Sequence, residues 1–112
     1  RLFVHDGKLY RVSDGQPFDT ANGKAIYVMD EHGNLYATTQ AQRGRIHHTS
    51  LVAGEPVAGA GEMRVFHGTV LHIDRSSGHY APDHKHLANV QYELTRQGLK
   101  TDPSVWDYST PE

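Results

Sequence analysis

Apolar positions in this chain come in short runs broken by turn residues, the spacing expected of a sheet built from hairpins. Leu2-Phe3-Val4 and Leu9-Tyr10-Arg11-Val12 flank Asp6-Gly7, a pair suited to a tight two-residue turn. A polar loop from Gly15 to Gly23, with Pro17 and Asn22-Gly23, leads into Ala25-Ile26-Tyr27-Val28-Met29. That run is continuous and short, as in a strand buried on both faces. Glu31-His32-Gly33-Asn34 turns it back into Leu35-Tyr36-Ala37-Thr38. Gln40 to Gly44 is polar and fits a loop or a short helical turn, and Ile46 opens another short strand. Gly54 to Gly61 is small and permissive, stiffened at Pro56. A third hairpin joins Met63-Arg64-Val65-Phe66 to Val70-Leu71-His72-Ile73 through His67-Gly68-Thr69.

The period then changes. Leu87, Val90 and Leu94 recur at helical spacing, after Pro82 at a first helical position and Asp83 beside the helix dipole. Arg96 in the last turn and Gly98 as C-terminal cap close the element. Ser104-Val105-Trp106-Asp107-Tyr108 reads as a closing strand. The expected architecture is a single α+β domain over residues 1–112, a mostly antiparallel sheet of hairpins with one principal helix.

Composition narrows the chemistry. The chain has 112 residues, one domain's worth, with 37% apolar residues and a net charge of −2. That charge gives no footprint for non-specific nucleic-acid binding. No apolar run reaches the length of a membrane span and no signal peptide is visible, so no membrane role is expected. An initial Arg in place of Met suggests a fragment or processed product. The absence of Cys removes thiolate nucleophiles and Cys-type zinc sites. The nine histidines are the outlier and direct attention to acid–base chemistry, metal binding or polar ligand contacts.

Two polar clusters concentrate that chemistry. In Ile46-His47-His48-Thr49-Ser50, strand alternation sends His47 and Thr49 to one face, His48 and Ser50 to the other. An imidazole followed two residues later by a hydroxyl suits a ribose or an amide, and equally a structural hydrogen-bonded histidine. Ser77-Gly78-His79-Tyr80 stands where the last hairpin gives way to the helix, with Tyr80 placed to stack on a flat ring or to anchor the helix. The expectation is that His47, Thr49, Ser77 and Tyr80 share one cleft. A zinc site from His79, His84 and His86 with Asp83 matches no familiar spacing, and His84 and His86 would point to different sides of a helix. Neither a nucleophile elbow around Ser50 or Ser77 nor a phosphate-cradling loop is present.

The series Ile26-Tyr27-Val28-Met29-Asp30, Gly33-Asn34-Leu35-Tyr36, His47-His48-Thr49-Ser50-Leu51 and Ala53-Gly54 resembles a module at the C-termini of Rhs-type bacterial polymorphic toxins. Pro56 to Glu62 and Ser77-Gly78-His79-Tyr80-Ala81-Pro82 fit the same module, over about residues 18 to 98. A similar core occurs in plant proteins carrying calmodulin-binding IQ motifs. A second, looser resemblance links Ile46 to Ser50 with ADP-ribosyltransferases of the His-Tyr-acid type. That likeness implies an ADP-ribosyltransferase-like fold with His47, His48, Thr49, Ser50, Ser77, Gly78, His79 and Tyr80 around NAD. Tyr80 would stack on nicotinamide and Asp107 would supply the acid, with Glu62 as the competing carboxylate.

The function so implied is a toxin, secreted or delivered into a target cell's cytoplasm, that transfers ADP-ribose from NAD to a protein or RNA of a competitor. A cognate immunity protein would be its partner. The same site could simply hydrolyse NAD. Two other classes stay open: a metal-independent nuclease using His47 and His79, and a non-catalytic recognition module, as the plant resemblance allows.

Overall fold

Tyr10 stacks on Phe3 across the first hairpin, with ring centroids 5.7 Å apart, and the computed structural model of the chain is built outward from such hairpins. It describes residues 1–21, 23–39, 57–75 and 84–109. Those residues form strands β1 (Leu2–His5), β2 (Lys8–Arg11), β3 (Ala25–Asp30), β4 (Leu35–Thr39), β5 (Val57–Phe66) and β6 (Thr69–Asp74). Helix α1 (His84–Arg96), a 3₁₀ turn (Pro103–Val105) and β7 (Trp106–Asp107) follow. Among the described residues the strands make one sheet, in the order β2-β1-β4-β3-β5-β6-β7. Every pairing is antiparallel except the last, in which β7 runs parallel to β6.

The turns follow from backbone chemistry. Asp6-Gly7 and His67-Gly68 both have positive φ at the two central positions, the geometry that matches strand twist in a two-residue hairpin. The β3–β4 turn is organised by Asp30 instead. Its carboxylate accepts from the main-chain N–H of His32 and Asn34, both at 2.9 Å, and from Asn34 Nδ2 at 3.0 Å. Burial pushes the Asp30 carboxyl up, but these donors outweigh it and its pKa lies below the usual range.

β3 occupies the centre, and all six of its residues are buried. Tyr27 and Met29 face an apolar cluster with Met63, Val65, Ile73, Leu87, Val90, Leu94 and Trp106. Each such fully buried aliphatic side chain contributes on the order of 1.5–3 kcal/mol. The predicted stripe Leu87, Val90, Leu94 is the face that α1 lays on the sheet. Its end is a Schellman cap: Leu99 N–H bonds the Leu94 carbonyl at 2.9 Å and Gly98 N–H bonds that of Thr95 at 3.0 Å.

Among the described residues, two elements differ from the sequence reading. The small stretch before Met63 is not a separate connection, since β5 runs without a break from Val57 to Phe66. The closing strand is shorter than expected. Asp102 accepts from Ser104 N–H and, with Pro103 behind it, winds a 3₁₀ turn, leaving only Trp106 and Asp107 as strand. The α1 crossover returns the chain parallel to β6, the direction a helical connection favours.

Candidate functional site

Polar groups converge where β5, β6 and β7 lie side by side. Opposite Tyr27 in the β3–β5 register is Gly61. A Cβ at Gly61 would stand 2.1 Å from the main-chain oxygen of Asp74, so only glycine admits the β6 backbone there. Tyr27 Oη donates to that same oxygen at 2.7 Å. Burial, and then the charge of Asp74, hold the Tyr27 hydroxyl well above its ordinary pKa, so it stays a neutral donor.

Asp74 is only 1% exposed. Its Oδ1 accepts from Glu62 N–H at 2.9 Å, extending the β5–β6 ladder by a side-chain rung. Its Oδ2 lies 3.2 Å from Nε2 of His72, which precedes it on the same face of β6. Asp107, the register partner of Asp74, places Oδ2 3.9 Å from the same imidazole nitrogen. Ser109 N–H and Oγ hold the other oxygen of Asp107, at 2.9 Å and 2.6 Å. Beyond this pair, Arg75 Nε donates to the Tyr108 carbonyl at 3.0 Å, and Tyr108 Oη donates to Gln91 Oε1 of α1. Lys24 Nζ approaches the Glu62 carboxylate at 3.7 Å.

Of the sequence-predicted site, Asp107 and its competitor Glu62 are described, and both border Asp74. His47, His48, Thr49, Ser50, Ser77, Gly78, His79 and Tyr80 lie outside the described residues, as do Asp83 and the shared cleft they were expected to line. His84 and His86 fall on the first turn of α1. Among the described residues no group of three or more His, Asp or Glu side chains is arranged to hold a metal ion. No described helix is long and apolar enough to cross a membrane.

Sequence reasoning missed His72 and Asp74. The strand expected from Val70 to Ile73 runs one residue further, to Asp74, and only with that extension do His72 and Asp74, two residues apart, share a strand face. What the cluster can do is limited by its connections. Asp74 is consumed by main-chain and imidazole contacts, and Tyr27 by a main-chain bond. The arrangement fastens β3, β5, β6 and β7 together.

The comparisons identify the domain. The chain matches the family model for the IQ motif-containing protein middle domain over residues 1–87, and it belongs to that family. It is similar to the IQ domain-containing protein IQM3 of Arabidopsis thaliana, 35% identical over 103 residues, covering 88% of this chain and 22% of the relative. It is also similar to IQM5 of the same plant, 34% identical over 82 residues, covering 72% of this chain and 16% of that one. The chain thus spans about a fifth of the length of the first of these relatives. No solved structure matches it.

Family membership corrects the sequence reading. The Rhs-type toxin likeness is overturned by the middle-domain match, and with it the ADP-ribosyl-transferring toxin, its target in a competitor cell and its immunity protein. The enzyme assignment is overturned too, since the relatives are IQ domain-containing proteins. The physical reason is visible in the fold. Tyr27, Met29 and Leu35 are core positions and Gly61 is a packing glycine. Much of the series that carried the toxin resemblance marks a scaffold and says nothing about chemistry.

Proposed function

We propose that this chain is a non-catalytic domain of a calmodulin-binding regulatory protein. The observation that carries it is the middle-domain match over residues 1–87 together with relatives named for an IQ domain. Two features of the chain divide the labour within such a protein. No Ile-Gln pair occurs anywhere in the 112 residues. The apolar stripe of α1, the kind of face that calmodulin grips, is already spent on the sheet, with Leu87, Val90 and Leu94 buried. Calmodulin therefore engages the IQ domain of the protein, and this domain supplies a folded recognition surface beside it.

Calorimetric titration tests both halves. Calmodulin titrated into Arabidopsis IQM3 gives saturable binding, and titrated into this chain alone gives none. Failure with IQM3 would remove calmodulin from the account. Saturable binding to the chain alone would place the calmodulin site within it and overturn the division of labour.

A further inference from the structure

Val65 and Val70 stand opposite each other in the β5–β6 register. Val65 turns its main chain away from β6, its N–H donating to Thr20 Oγ1 at 3.3 Å and its carbonyl accepting from Thr20 N–H at 3.0 Å. Residues opposite each other in an antiparallel ladder either exchange both bonds or both point outward. Val70 therefore aims its N–H and C=O at the far edge of β6. β7 pairs along that edge at Ile73 and Asp74, and before it the chain winds away in the 3₁₀ turn of Pro103–Val105. Among the described residues no group bonds the Val70 main chain from that side. Val70 is only 3% exposed, so its two polar groups require a partner.

A cleft of about 530 Å³ separates β6 at Thr69, Val70 and Leu71 from the segment between Lys100 and Val105. A register shift between Arg64 and Val65 gives β6 one extra residue, which lets Val70 and Ile73 both face the core. The extra residue, Leu71, is left 51% exposed beside the cleft. Across from it, Asp102 accepts from Ser104 N–H and Oγ, and Thr101 Oγ1 accepts from Trp106 Nε1. Lys100 and Asp102 at the rim carry opposite charges, which suits an uncharged occupant. What remains is a main-chain donor, a main-chain acceptor and apolar surface, the chemistry that recognises an extended peptide. We propose that an uncharged, extended segment of a partner protein adds a strand here, bonding Val70 and covering Leu71. The cleft locates the recognition surface of a non-catalytic domain, the reading it rests on, and calmodulin binding by IQM3 neither supports nor removes it.

Residue-resolved magnetic resonance on the isotope-labelled chain tests this with the blocked peptide acetyl-Thr-Val-Thr-Val-amide. The expected result is saturable shifts centred on Thr69, Val70, Leu71 and Thr101. At saturation the Val70 amide exchanges with solvent about tenfold more slowly than in the chain alone. The same peptide methylated on every amide nitrogen cannot donate a hydrogen bond and produces neither change. Leu71→Asp, at an exposed position, removes the shifts and keeps the circular dichroism spectrum, and the methylated peptide decides the matter if that variant does not fold. A Val70 amide already as protected in the chain alone as its neighbours in the β5–β6 ladder would mean that the chain or a held water fills the edge, and would overturn the proposal. So would an absence of saturable shifts, equal binding of the methylated peptide, or Val70 shifts that follow chain concentration without peptide, the mark of a second copy.

Discussion

The hydroxyl of Tyr27 on β3 reaches over β5 to bond the main-chain carbonyl of Asp74 on β6, 2.7 Å away. Three strands are joined by one side chain, and Gly61 makes the reach possible by having no side chain of its own. This link fixes where Asp74 sits, and Asp74 in turn positions Glu62, His72 and the β7 register.

Gly61→Ala is the severest small change available. Its Cβ would meet the Asp74 carbonyl oxygen at 2.1 Å, against backbone that has no rotamer to escape into. The expected loss is about 3 kcal/mol or more, seen as a fall in the denaturant midpoint or a failure to fold. Tyr27→Phe keeps the ring and removes one buried donor, and should cost about 1–2 kcal/mol. Chemical denaturation of both variants checks the order.

Gly98→Ala isolates a backbone effect. Gly98 has φ +107°, and a Cβ there meets nothing within 4 Å, so no steric neighbour contributes. Weakening of the Schellman cap should cost about 1–2 kcal/mol, read as a lower Tm with an unchanged circular dichroism spectrum.

The hairpin and helix elements were legible in the sequence, because their signals are local. Asp6-Gly7 and His67-Gly68 announce turns by residue type, and Leu87, Val90, Leu94 and Gly98 mark a helix and its end within one periodic stretch. The first half of β5 was not legible. Ala58-Gly59-Ala60-Gly61 shows no alternation of apolar and polar side chains, and it is strand because Tyr27 and Asp74 require a close backbone approach across it. That requirement depends on strand order, which no local window contains. The site divides in the same way. Asp107 stands out in the sequence only as the acid that the ADP-ribosyltransferase resemblance implies, and its neighbours His72 and Asp74 come from a parallel pairing that the α1 crossover creates.

Asp30→Ala should unravel the β3–β4 turn. Its carboxylate accepts from His32 and Asn34 main chain and from the Asn34 side chain, and its removal should cost about 2–3 kcal/mol at neutral pH. The pH dependence has a definite sign. The folded-state pKa of Asp30 is lowered, so its contribution is complete above the unfolded carboxylate pKa of about 3.9 and is lost as pH falls through the lower folded value. The stability gap between wild type and Asp30→Ala should therefore be wide at pH 6 to 7 and narrow in acid, as followed by denaturation at a series of pH values.

Leu94→Ala tests whether α1 is held by its buried stripe. Leu94 is 0% exposed and also closes the helix cap against Leu99. The expected cost is about 2–5 kcal/mol, and a value below 1 kcal/mol would mean that the helix face is not packed as described.

The central claim, a regulatory domain whose helix is committed to its own sheet and leaves calmodulin to the IQ domain, is tested most directly by residue-resolved magnetic resonance. Amide spectra of the isotope-labelled chain are recorded with and without excess calmodulin, in calcium and in chelator. The account predicts that the signals of Leu87, Val90 and Leu94 keep their positions and their protection from solvent exchange throughout. Saturable shifts at those residues, with loss of protection along α1, would show calmodulin drawing the helix from the sheet and would contradict it.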